Sequence, residues 1–503
     1  MLRIVGGDTG GNTSRRTLLQ AAGAGLFGLT VPKLLAAGQG GGAGATPTAL
    51  RGREDSTLTQ SGERGTHNSP ARAKSVIFMM LFGGPSQLET FDLKPNAPSK
   101  IRGPFSPTPC KTPGLLISDQ LPRLAKISDK FCVIKTMTHT YNDHSTAAHY
   151  MQTGHPWHVP IGQGFNATPR DWPSVGSIVE YLGQTGGIPT DGRLPSYVVT
   201  PNFLGRLEEY SIQLRRPGEY AGWLGRGYDP LTTMINKRDA KDNPYFRECT
   251  DEELNFQIQG LKLPPEMTLD RLDRRRTLLA QFDDQLRTGG KSPAITALDK
   301  FQTRAWSLAT SEQTRKALDI KAESKELRDK YGRNLFGQAT LMARRLVEAG
   351  VKYVTVHYEA VDGYSWDSHV HSDDVKKHLL PGLDNALSSL LEDLDQRGLL
   401  DETLVVCLGE MGRTPTASER WGRSHWSTLF PAVIAGAGIR GGTVYGTTDK
   451  DAAYATDKPV KPEDLASTIY YALGIDPHMH VPDAQNRPVA IVDGGRPLTE
   501  LFG

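Results

Sequence analysis

Imidazoles and carboxylates recur along this chain, each time just after an apolar run. Behind SVIFMMLF (residues 75–82) stand Gly83, Gly84, Ser86, Glu89 and Asp92, and behind FCVIKTM (131–137) stand His139, Asp143, His144 and His149. VKYVTVHY (351–358) leads to Asp362, Asp367, His369 and His371, and TLVVCL (403–408) leads to Glu410, Arg413 and His425. Singly, each has a plain reading: a histidine at a strand end is usually a hydrogen-bonded structural residue, and Glu410 could pair with Arg413. Together, mixed imidazole and carboxylate suit a divalent ion of the Zn, Mn or Fe type, whereas Ca or Mg favours oxygen alone. A dry network of ion pairs is the competing reading.

Such groups meet only if the elements before them share one edge. The apolar runs are short, β-branched and unbroken, the pattern of strands buried on both faces. SYVVT (196–200) and PAVIAG (431–436) add two more. Between runs lie NLFGQATLMARRLVEAG (334–350), LLPGLDNALSSLLEDLDQRG (379–398) and PEDLASTIYYALG (462–474), which keep helical apolar spacing and close on glycine. The alternation predicts an α/β fold: three αβα layers around a mostly parallel central sheet, whose ligands bind at the strands' carboxyl ends. Asp367 and His425 both follow apolar strands through glycine-punctuated loops, so they should open on the same edge. Asp143, His144, Ser145 and Thr146 start a helix, where the N-terminus favours an anion, and are nucleophile or base candidates. Arg413 is a candidate oxyanion binder, because a guanidinium grips phosphate, sulfate or carboxylate with paired donors. The charged stretch from about Leu204 to Lys330, clearest in DRLDRRRTLLAQFDDQL, breaks the rhythm and reads as a helical cap inserted in the same domain.

The ends of the chain give its address. Ser14-Arg15-Arg16-Thr17-Leu18-Leu19 is a twin-arginine pattern, followed by a small apolar run and LLAAG, which predicts a signal peptide over residues 1–37. That run is too short and too rich in Gly and Ala for a membrane span, so no transmembrane span is expected in the mature chain. Residues 38–73 are Gly, Ser, Thr and Pro with scattered charge and read as a flexible linker before a domain spanning 74–503. The whole chain has 503 residues and a formal charge of +2. Arg3, Arg15, Arg16 and Lys33 outweigh Asp8 in the signal, so the remainder sits near neutrality and nucleic acid is excluded as a partner. Cys110, Cys132, Cys249 and Cys407 are too few and too scattered for a disulfide scaffold; a Cys110–Cys132 bridge is one arrangement left open.

The order of elements resembles the alkaline phosphatase superfamily of phosphatases, sulfatases and phosphoglycerate mutases. LFGGPSQLETFDLKP, NDHSTAAHYMQTG, WDSH, GEMGRTP, GRSHW and AGAGIRGGTVYGTTD, in that order, are similar to an uncharacterised family of twin-arginine-exported, sulfatase-like bacterial proteins. The resemblance implies metal ligands at Asp367, His369, Glu410 and His425, with Asp92 and His149 as further candidates. Glu410 falls where the superfamily has the Asp of Asp-His-Gly, and Met411 replaces the His. The formylglycine motif is absent: aligned on Thr153-Gly154, His144 stands in the nucleophile's place, so a formylglycine sulfatase is not expected. Gly83-Gly84 replace an acid after the first strand, with Asp92 or Ser86 as substitutes.

These readings converge on an exported, periplasmic or extracellular hydrolase of phosphate or sulfate esters. Its cofactor would be one or two divalent ions, zinc foremost, with calcium, manganese or iron as other choices. Its substrate would be an anionic small-molecule or polysaccharide ester, and its export partner the twin-arginine machinery. A degenerate relative that binds glycans or partner proteins without turnover is the alternative. The address is testable alone: Arg15→Lys with Arg16→Lys should leave the protein in the cytoplasm, and unchanged secretion in a fractionation assay would contradict it.

Overall fold

Strands that are apolar on both faces need partners on both faces, and the chain supplies them with one sheet between two helical layers. The computed structural model describes residues 71–503, apart from 161–165, 191, 193, 202–214, 236–237, 239–241, 259–310 and 359–364. The main sheet contains β1 (Ser75–Met80), β2 (Phe131–Met137), β3 (Tyr197–Thr200), β4 (Leu231–Met234) and β5 (Gln257–Ile258). It continues with β6 (Tyr353–His357), β7 (Thr403–Leu408), β8 (Phe430–Ala435) and β9 (Thr443–Tyr445), in the order β9-β2-β8-β7-β1-β6-β3-β4-β5. β1 lies at the centre, parallel to β6 on one side and β7 on the other. Only β8 and β5 run against their neighbours.

Alternate residues of each strand enter opposite cores. Ile77, Met79, Val405 and Cys407 pack with α3 (Leu335–Glu348) and α4 (Leu380–Gln396). Val76, Phe78, Met80, Leu404 and Val406 pack with α1 (His144–Thr153), α2 (Val175–Thr185) and α5 (Pro462–Ala472). Each such buried aliphatic side chain contributes about 1.5–3 kcal/mol of transfer free energy. The three-layer expectation therefore holds, and the helices begin and end where the sequence places them. Asn334 caps α3 by accepting from the Gly337 amide, and Pro462 opens α5 where its missing N–H costs nothing.

The sheet direction fixes where chemistry can gather. The loops after β1, β2, β6 and β7 leave one edge. β8, running the other way, enters from that same edge, so His425 just before it stays there. The region expected as a helical cap differs in part. Its described portion adds β4 and β5 to the sheet and contributes helices at Glu312–Leu318 and Lys325–Tyr331, while Asp270–Leu286 lies outside the described residues. All four cysteines are free thiols; Cys132 is buried inside β2, and no Cys110–Cys132 bridge forms. No helix among the described residues is long and apolar enough to cross a membrane.

The turn after β1 needs its two glycines. Gly83 has φ 113° and Gly84 φ 73°, backbone that side chains resist. A Cβ on Gly84 would lie 2.8 Å from Met411 Cγ and 2.9 Å from the Met411 carbonyl oxygen. Gly84→Ala should therefore cost about 1–3 kcal/mol, read as a lowered thermal midpoint. An unchanged midpoint would mean that the turn has another conformation open to it.

Candidate metal centre

Asp367 is where the edge loops meet. Its Oδ1 lies 2.9 Å from His369 Nε2, 3.2 Å from His425 Nε2, 3.1 Å from His144 Nε2 and 2.6 Å from Arg413 Nη2. His369 Nε2 and His425 Nε2 are themselves 3.0 Å apart. Among the described residues, His144, Asp367 and His425 offer ligand atoms that all lie within 4.8 Å of one another.

The far side of each ring decides what the near side can do. His425 Nδ1 is 2.8 Å from the Asn142 carbonyl oxygen, which can only accept, so Nδ1 carries the proton. His144 Nδ1 is hydrogen-bonded to Glu410 Oε1, and the Gly83 amide donates to both oxygens of that buried carboxylate, at 2.9 and 3.1 Å. In the neutral rings the Nε2 lone pairs of His425 and His144 therefore face the Asp367 carboxylate. Acceptors do not crowd an anionic oxygen unaided; a proton or a cation must lie among them. Burial opposes ionisation of Asp367, but His144, His369 and His425 hold its carboxyl far below the usual carboxylate range. Burial likewise opposes charge on His144, yet Asp367 and Glu410 prevail and push its imidazole up to about 9.

The other candidates divide. Arg413, the candidate oxyanion binder, has its five N–H donors engaged within the protein. Nε donates to the Gly84 carbonyl at 2.9 Å, Nη1 to the Arg423 carbonyl at 3.2 Å with His369 Nε2 at 3.5 Å, and Nη2 to Asp367 and the Gly83 carbonyl. The guanidinium is a fully buried strut beneath Asp367. Asp143 caps α1, its Oδ1 accepting from the Thr146 amide and hydroxyl at 3.1 Å each, which occupies Thr146 as well. Ser145 is buried.

Asp92 does not join the centre. It is paired with Lys135 at 3.0 Å and Lys94 at 3.1 Å, and Thr448 donates to its other oxygen at 2.6 Å. His149 faces away too: Nδ1 meets the His155 carbonyl at 3.1 Å, Nε2 accepts from the Trp172 amide at 3.3 Å, and burial drives its imidazole down to about 3. His155 is buried and stacked on Trp172 with ring centroids 3.8 Å apart.

Sequence reasoning singled out His139 and Glu89 without their roles and missed Asn142 and Arg423. His139 Nε2 lies 2.7 Å from the Glu410 carbonyl and pins the end of β7, and Asn142 holds both His425 and, through Oδ1, the Ser427 amide. Arg423 pairs with buried Glu89 at 3.0 Å and carries the carbonyl that receives Arg413. The signal for these was proximity in sequence to the candidates; their backbone partners left no trace in residue type.

The family described as a protein of unknown function (DUF1501) matches residues 73–502. The chain belongs to the DUF1501 family. No curated protein matches this DUF1501 member significantly. Among solved structures, a mutant of the alkaline phosphatase PafA shares 12% identity at TM-score 0.40, covering 87% of this chain and 100% of its own. The phosphonate monoester hydrolase SpPMH from Silicibacter pomeroyi shares 12% at TM-score 0.34, covering 85% and 76%. The PsFucS1 sulfatase from Pseudoalteromonas sp. shares 12% at TM-score 0.34, covering 80% and 68%. Likenesses this distant assign neither chemistry nor ligand to the DUF1501 chain.

The proton that replaces a cation makes a prediction. A group raised in the folded state stabilises it below the unfolded value, here 6.5, and that contribution is lost as pH rises through about 9. Chelator-treated protein should lose at most about 3 kcal/mol between pH 6.5 and 9.5, while His144→Gln should show a flatter thermal-midpoint curve. Equal slopes would show that His144 carries no such proton.

Proposed function

We propose that this DUF1501 protein is an exported, metal-dependent hydrolase of phosphate or sulfate esters. The carrying observation is the convergence of Asp367 Oδ1, His369 Nε2 and His425 Nε2, within 2.9–3.2 Å of one another, with His425 turned by Asn142 so that a lone pair faces inward. Two imidazoles and one carboxylate are a donor set for zinc, and they leave positions for a substrate. A divalent ion bound there would supply Lewis-acid stabilisation of an ester's anionic oxygens.

The chain's own residues do the rest. Asn142 and Glu410 fix the orientation of His425 and His144 through their Nδ1 atoms. Arg413, itself anchored on the Gly83 and Gly84 carbonyls, holds Asp367 from below, so this carboxylate is already oriented when a cation arrives. His369, with 41% of its side chain exposed, lines the open side by which an ester would enter. The commitment of every Arg413 donor favours a second reading, in which the centre holds an ion and binds an anionic ligand without turnover.

Metal analysis of protein purified without chelator, paired with an aryl-phosphate and aryl-sulfate screen, separates these readings. We expect a bound divalent ion and turnover in the wild type. Asp367→Asn and His425→Ala should lose the ion and at least about 10²-fold in rate. His425→Ala should lower the thermal midpoint only when metal is supplied. Ion without turnover would favour the binding reading, and equal destabilisation with and without chelator would remove the metal centre.

A further inference from the structure

Guanidinium donors left unspent at Arg413 are found elsewhere, away from the metal centre. The chain between α1 and α2 and the stretch from Arg215 to Asp229, between β3 and β4, enclose a cleft of about 270 Å³. Its two walls are stitched at Arg215, whose amide donates to Asn166 Oδ1 at 3.1 Å and whose carbonyl accepts from the Ala167 amide at 2.7 Å. The Arg215 guanidinium sits over the Tyr220 ring, 3.8 Å from its centroid, and spends one of its five donors on Asp229 Oδ2 at 2.6 Å. Asp229 Oδ1 takes the Ala221 amide at 3.0 Å, so both oxygens of the cleft's one carboxylate are used. Arg226, on the same wall, is exposed, and its side chain makes no hydrogen bond or ion pair among the described residues. Asn166 turns its oxygen to the Arg215 amide, which leaves its Nδ2 donors without a protein partner. Buried Asp171, behind Thr168, adds no acceptor, because the Trp157 indole and the Thr168 amide and hydroxyl take it at 2.7–2.8 Å. Beside Arg226, Gly225 at φ 92° has nothing within 4 Å of where a Cβ would stand, so the space next to its backbone is open.

We propose that this cleft is an oxyanion site that takes a terminal phosphate or sulfate group, gripped by Arg215 and Arg226 with Asn166 as a third donor. Two guanidiniums face one carboxylate, so the cleft carries surplus positive charge, and an anion completes it. The Tyr220 ring and the bond to Asp229 fix Arg215 before a ligand comes, so little of its side-chain freedom is lost on binding. Three donor side chains on two walls suit a group with three terminal oxygens better than a carboxylate with two. The volume falls just below the range of about 300–1,000 Å³ usual for small-molecule sites. It therefore admits the anionic group with a small part of the molecule that carries it. The cleft is separate from the metal centre and needs no metal. Its walls rest on α1 at His149, where Gly218 packs against the helix backbone and Trp172 donates its amide to His149 Nε2. That point is five residues beyond His144, about 7.5 Å along the helix axis. Nothing in the cleft depends on ester hydrolysis at Asp367.

The test uses the full chain, treated with chelator so that no ion at Asp367 competes for the anion. It is titrated calorimetrically with sodium sulfate and with sodium phosphate at constant ionic strength. Saturable binding is expected, and the anion that binds tighter assigns the cleft to phosphate or to sulfate. Arg226→Ala removes an exposed side chain without partners, so it should keep the wild-type thermal midpoint in chloride while weakening the anion by at least about 10-fold. In crystals soaked with selenate, an anomalous peak should stand between Arg215 and Arg226. No saturable binding of either anion, equal affinity in Arg226→Ala, a selenate peak at the metal centre alone, or acetate binding as tightly as sulfate and phosphate would each overturn the proposal. Because no metal takes part, failure here leaves the hydrolase reading standing, and failure of that reading leaves the cleft.

Discussion

A single carboxylate oxygen organises this end of the molecule. Asp367 Oδ1 is approached within 3.2 Å by nitrogens from His144, His369, His425 and Arg413, contributed by three different loops. One negative charge satisfies one guanidinium, but two of the remaining rings have their protons pinned on the far nitrogen. The surplus of inward lone pairs is the constraint that everything else answers. It is met either by extra protons or by a cation, and these differ in their dependence on pH and on chelation.

The fold makes that crowding affordable. β1, β6 and β7 are parallel and adjacent, so Gly83, Asp367 and Glu410 leave neighbouring strand ends. Glycines at 83 and 84 let backbone groups come where side chains would clash: their carbonyls take Arg413 and the Gly83 amide takes Glu410. The antiparallel entry of β8 brings His425 to the same edge from the opposite direction.

Much of this was legible in the residues. Unbroken apolar runs marked the strands, apolar spacing with Asn, Pro and Gly punctuation marked the helices, and the polar clusters behind the strands marked the edge. Asp367 and His425 could be singled out because each follows an apolar strand, and strand direction decides which edge a loop occupies; His369 as a ligand came from the resemblance. What stayed hidden depends on partners remote in sequence. Asp92 looks like a ligand until Lys135 is found beside it, and Arg413 looks like an anion clamp until its carbonyl acceptors are counted. β4 and β5 are short, and their strand character comes from pairing with an existing sheet edge more than from their own residues.

The central claim is that a cation belongs among these groups, and anomalous diffraction from zinc-soaked crystals tests it most directly. Data collected on both sides of the zinc absorption edge should place one strong difference peak within bonding distance of Asp367, His369 and His425. A map with no peak there, while the three side chains keep the contacts described, would contradict the claim and leave the centre a proton-stabilised ion-pair network.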